Sequence, residues 1–66
     1  MLDFNTVQVG DIITYHAVNS QKHYYLILNK QLLSGDYLKL KVFEYLHGDT
    51  RTMELWPLDK MFVEVM

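Results

Sequence analysis

Between Tyr37 and Glu44 the side chains of Leu38, Leu40 and Val42 alternate with those of Lys39, Lys41 and Phe43. A repeat of two is the period of an extended strand with one buried face, whereas a helix places its apolar residues three and four apart. Residues 37–44 are therefore predicted to form a strand that turns Leu38, Leu40 and Val42 towards a core. Such a strand cannot stand alone, because it leaves two edges of unpaired amides and an apolar face in water. The rest of the chain has to supply partner strands and a cover.

Partners are legible on both sides. Residues 51–56 alternate again, with Met53 and Leu55 on one face and Thr52, Glu54 and Trp56 on the other, and a glycine-centred turn at residues 46–50 makes the pair a hairpin. Pro57 has no amide hydrogen and ends that strand. Upstream, Ser34-Gly35-Asp36 marks another turn, and residues 23–30, prolonged by Gln31-Leu32-Leu33, are β-favouring. Residues 9–18 open on the turn pair Gly10-Asp11 and continue as a first strand, joined to the second by a short polar loop at 19–22. Residues 58–61 have room for one tight helical turn, and residues 62–66 form a last short strand. Residues 2–8 leave two readings open: a single turn capped by Asp3 or Asn5, or a loop.

Five short strands in 66 residues are too few for a sandwich of two full sheets. Curling one sheet into a small barrel covers its apolar face, so the expected fold is all-β, a five-stranded small barrel with one helical turn before the last strand. It forms a single domain over residues 1–66. Ile12 or Ile13, Leu26, Leu28, Leu38, Leu40, Val42, Met53, Leu55, Val63 and Val65 are the expected inward residues. A chain of this size buries only about 60% of the surface that its unfolded form exposes, so self-association is an available source of further burial.

Composition removes several chemistries. There is no cysteine, hence no disulfide, thiolate metal site or thiol catalysis. Six basic residues against eight acidic ones give a net charge of −2, which argues against a general electrostatic grip on nucleic acid. The N-terminal residues carry no basic or long apolar segment, so no targeting leader is expected. The longest apolar run, Tyr24 to Leu28, is far short of the roughly 20 residues of a membrane helix. A cytoplasmic location without a membrane partner is the expectation.

Val9-Gly10-Asp11-Ile12-Ile13 at the start, and residues 54–65 with Trp56, Pro57 and a short turn before the last strand, carry a resemblance. In that order of elements the chain resembles the Src-homology-3-like small barrels, in which a helical turn separates the fourth and fifth strands. It is similar, too, to tiny uncharacterised proteins encoded by bacteriophages. The resemblance implies the barrel and, for a phage protein, a host or virion partner in the host cytoplasm. It carries over no functional residue: the acidic loop and paired tyrosines that bind proline-rich ligands have no counterpart, since Tyr24-Tyr25 lies within a predicted strand. Asp11 after Gly10 likewise departs from the basic pattern of related nucleic-acid-binding barrels.

Candidate chemistry is sparse. His16 and His23 flank the first hairpin and could face each other, with His47 as a third imidazole, but two imidazoles fall short of the roughly four ligands of a zinc site, and no metal or other cofactor is expected. Ser20 and Ser34 lie in turn contexts rather than in a nucleophile elbow. Glu44 and Glu54 could oppose each other across the third turn as an acid–base pair, although a Lys or Arg partner for Glu44 is the commoner outcome. A chain this short has little volume for an enclosed pocket of about 300 Å³ or more. No catalytic activity is expected.

Aromatic residues exceed what the core requires. Phe43, Tyr45 and Trp56, with Tyr37 and Tyr25, are the candidates for a protein interface, either with a partner or in a homo-oligomer. The alternative for Phe43 and Trp56 is a second mini-core beneath a loop. Lys39, Lys41 and Arg51 are candidates for a single-stranded nucleic-acid surface, a reading that the acidic balance weakens.

Overall fold

The computed structural model describes residues 2–16 and 21–66. The strands are β1 (Ile12–Tyr15), β2 (His23–Leu33), β3 (Tyr37–Glu44), β4 (Asp49–Leu55) and β5 (Val63–Val65), with a 3-10 helix at Pro57–Phe62. They form one antiparallel sheet in the order β4-β3-β2-β1-β5. The expected all-β fold with a helical turn before its last strand is the one observed. The expectations for residues 17–20, including the end of the first strand and Ser20, lie outside the described residues.

The period of two in β3 reads out as predicted: Leu38, Leu40 and Val42 are fully buried. Opposite them on β4 stand Leu55, Met53 and Arg51, so the last turn of alternation brings a cation to the inner face. The phase of β2 differs from expectation. Ile27 is the buried residue there and pairs with Val42, while Leu26 is half-buried on the outer face and Leu28 is exposed. A bulge inserts Leu28 between the pairs Ile27–Val42 and Asn29–Lys41, which bends the strand and moves the inward set from odd to even residues. Beyond it, Lys30 lies on the inner side and its Nζ donates to the Val7 carbonyl at 2.7 Å. Val65 was also expected inside and is exposed, because the last strand ends at the sheet's rim. Of Ile12 and Ile13, it is Ile13 that is buried.

The sheet curls but does not close. A six-residue 3-10 helix advances about 12 Å, less than the roughly 19 Å between the outer strands of a flat five-stranded sheet, so β4 can hand the chain to β5 only if the sheet bends. The helix touches both edge strands, yet β4 and β5 do not pair with each other. The closed barrel is thus replaced by an open, curled sheet, since the final strand is only three residues long and the helix sits between the edges.

Residues 2–7 cover the open inner face. Asp3 Oδ1 accepts from the Asn5 amide at 2.9 Å, and the Asp3 carbonyl accepts from Thr6 and Val7, so the single-turn reading with Asp3 as cap is the one realised. The turn drops Leu2, Phe4 and Val7 into the core beside Ile13, Ile27, Leu55 and Val63.

Candidate functional site

Opposite neighbours in a sheet share a face, so the register decides which side chains meet on the outside. Ile12, Leu26 and Phe43 are consecutive partners across β1, β2 and β3, and all three point away from the core. Tyr45 continues the row above, its amide donating to the Tyr24 carbonyl at 3.2 Å. Phe43 and Tyr45 meet edge to face at 5.4 Å between centroids, the arrangement favoured by the aromatic quadrupole. Leu28, displaced outward by the bulge, is 39% exposed, Tyr24 40% and Tyr45 48%, so water reaches a continuous apolar and aromatic surface. Asn29, Gln31, Lys39 and Lys41 border it on the same face.

Of the five aromatic residues proposed from sequence, two form this surface. Tyr37 and Trp56 lie at the other end of β3, packed on each other at 4.3 Å, with Trp56 exposed and Tyr37 half-buried. Six residues of strand, about 20 Å, separate them from Phe43, so Phe43 and Trp56 form neither one patch nor one mini-core. Tyr25 is on the inner face, opposite Glu44. Ile12, Tyr24, Leu26 and Leu28 were not among the expected surface residues. The signal for them was the run Tyr24 to Leu28, apolar at every position, which leaves apolar side chains on both faces of a single sheet.

The three cations considered for nucleic acid do not share a surface. Lys39 and Lys41 stand on the outer face opposite Glu54 and Thr52, whereas Arg51 stands at the exposed rim of the inner face, with Nε 2.7 Å from Glu44 Oε2. Glu44 is buried at 1% exposure and organises the rim of the inner face: His47 Nδ1 lies 2.7 Å and His23 Nδ1 3.7 Å from its Oε1. The Arg51 N–H is not aimed at Oε2, so that contact is an ion pair without a hydrogen bond, and among the described residues Oε2 has no hydrogen-bond donor. The Lys-or-Arg alternative for Glu44 is the one observed. Glu54 pairs in register with Lys39 on the opposite face, so the two glutamates do not form an acid–base pair. Tyr15, rather than His16, is the cross-strand partner of His23, because the ladder is offset by one residue. Among the described residues no three acidic or imidazole side chains converge as a metal site.

A groove of about 290 Å³ opens at the side where the sheet does not close, lined by Tyr15, Tyr25, Met53, Glu54, Leu55 and Asp59. Burial raises the Tyr15 hydroxyl above its ordinary range, helped by the Asp59 carboxylate, which accepts from it at 3.5 Å. Burial does the same for Tyr25, with Glu44 adding to it and Arg51 opposing. Both phenols therefore keep their protons at neutral pH and remain hydrogen-bond donors. No protein-family model, curated protein or solved structure matches the chain.

Proposed function

We propose that this protein is a non-catalytic protein-interaction module that docks a partner, or a second copy of itself, on the outward face of its sheet. The observation that carries this reading is the row Ile12–Leu26–Phe43, extended by Tyr24, Leu28 and Tyr45, on the side of the sheet away from the core. Aromatic and aliphatic side chains ringed by Lys and amide groups have the composition of an interface centre with its polar rim. The 3-10 helix between the fourth and fifth strands supports the resemblance to small Src-homology-3-like barrels. In line with the resemblance to phage-encoded barrels, the partner would be a host or virion protein. The test combines light-scattering mass with photo-crosslinking from a reactive group at position 41, exposed on the same face. The wild-type chain is expected to self-associate or to crosslink one defined partner, and a Phe43→Ala, Tyr45→Ala double variant to lose that behaviour while staying folded. A monomeric mass together with unchanged crosslinking in a Phe43→Ala variant would end this reading.

A further inference from the structure

The groove at the open side of the sheet differs from the outward face in both position and chemistry. Its lining takes Met53 and Leu55 from the inner side of β4 and Glu54 from the outer side. A cavity lined from both faces of one strand runs along that strand's edge. The edge concerned is the one that β3 does not occupy, and among the described residues no strand pairs with its alternate outward amides and carbonyls. Facing the edge are Tyr15 of β1, Tyr25 of β2 and Asp59 of the 3-10 helix.

We propose that an extended segment of another protein, carrying a lysine or arginine, adds to the free edge of β4 as a further strand and places its cation between Glu54 and Asp59. Main-chain pairing supplies adhesion and the groove supplies selection, as in other strand-addition complexes. The lining holds two carboxylates, two phenols and two apolar side chains, and no cation. Lys39 and the Tyr37 hydroxyl neighbour Glu54 from the β3 side and stand outside the lining, while Arg51 is engaged by Glu44 and Asp49, and Lys60 by Asp36. A second copy of this chain is a poorer occupant. Its own two edges bring Glu54 and Glu64 into the contact, and its net charge of −2 repels a like molecule. The phenols add aromatic faces on which a cation is attracted.

The proposal is tested by titrating the ¹⁵N-labelled chain with an amidated octapeptide that alternates valine and arginine, and with the same peptide carrying glutamate in place of arginine. Expected are shifts in the β4 amides and in the Tyr15 and Tyr25 rings, new exchange protection at alternate β4 amides, and binding about tenfold weaker for the glutamate peptide. A Glu54→Gln, Asp59→Asn double variant should lose about tenfold in affinity for the arginine peptide. Glu54→Gln alone, at an exposed position, gives a smaller loss in the same direction and serves if the Asp59 change disturbs the turn. The Phe43→Ala, Tyr45→Ala variant should bind the peptide as the wild type does, which separates this site from the outward face. Absence of β4 shifts at millimolar peptide, equal binding of both peptides, or β4 amides already protected by a second copy in the free protein would each overturn it.

Discussion

A carboxylate with 1% of its surface exposed is held only if its charge is answered, and Glu44 is answered by Arg51 on β4 and by His47 in the turn, with the His23 ring of β2 standing 3.7 Å away. The partners differ in their own exposure. Arg51 is 47% exposed, so it can hydrate if Glu44 is neutralised, whereas Glu44 cannot hydrate if Arg51 is removed. The expected result is an asymmetry. Arg51→Ala should destabilise by about 2–4 kcal/mol, less than breaking a fully buried pair because the arginine is partly screened. Glu44→Gln, which keeps an oxygen to accept from its neighbours, should cost about 1 kcal/mol. Urea unfolding of both variants at neutral pH measures this, and equal losses would show that the charge at position 44 does not organise the cluster. The sequence offered Arg51 as a surface cation, and for Glu44 either a carboxylate pair with Glu54 or, as the commoner outcome, a Lys or Arg partner, which is the one found. The parity of β4 was legible from Met53 and Leu55 and puts Arg51 on their face; what the sequence could not display was the register that brings Arg51 and Glu44 together at the rim of that face.

Strands whose two faces differ in polarity announced their orientation, and strands whose faces agree did not. β3 sets lysines against leucines, so its phase was legible from Leu38 to Val42 and the buried set is the predicted one. From Tyr24 to Leu28 every residue is apolar, so either phase satisfies the pattern, and the bulge that chooses Ile27 over Leu26 leaves no compositional mark. That ambiguity also hid the outward patch, since residues read as core were in fact surface. Turns were legible for a different reason: backbone geometry selects residue type directly. Gly48, between β3 and β4, has φ of 70° and its amide closes the turn on the Glu44 carbonyl at 2.9 Å. Nothing lies within 4 Å of where its Cβ would be, so a substitution meets only the conformational penalty of the left-handed region. Gly48→Ala is expected to lower stability by about 1–2 kcal/mol, and Gly48→Asn by less, because asparagine tolerates that region. Thermal unfolding of the two variants checks the ranking; a larger loss with asparagine would mean that side-chain packing, not φ, governs the turn.

At the scale of the molecule, one sheet of five strands has no second layer to complete its core, and the N-terminal segment takes that place. Leu2, Phe4 and Val7 are buried in the same cluster as the strand residues, and three contacts fasten the segment there. The Leu2 amide donates to the Lys60 carbonyl, the Lys60 ammonium stands 4.7 Å from the centre of the Phe4 ring while also pairing with Asp36, and Lys30 caps the Val7 carbonyl. The segment has no strand or helix period, so its burial was not readable from spacing; only the presence of a large aromatic beside a capping Asp3 hinted at it. A domain of 66 residues has about 3–10 kcal/mol of stability in all, and truncating a buried phenylalanine to alanine costs about 3–5 kcal/mol. Phe4→Ala should therefore remove most of the margin and shift the urea midpoint sharply, while Asn5→Ala, one residue away and exposed, should change stability by about 0.5 kcal/mol or less. A Phe4→Ala midpoint as high as that of Asn5→Ala would mean that the curled sheet holds its shape without the segment, and the inner face, not the outer, would then be the larger apolar surface open to a partner.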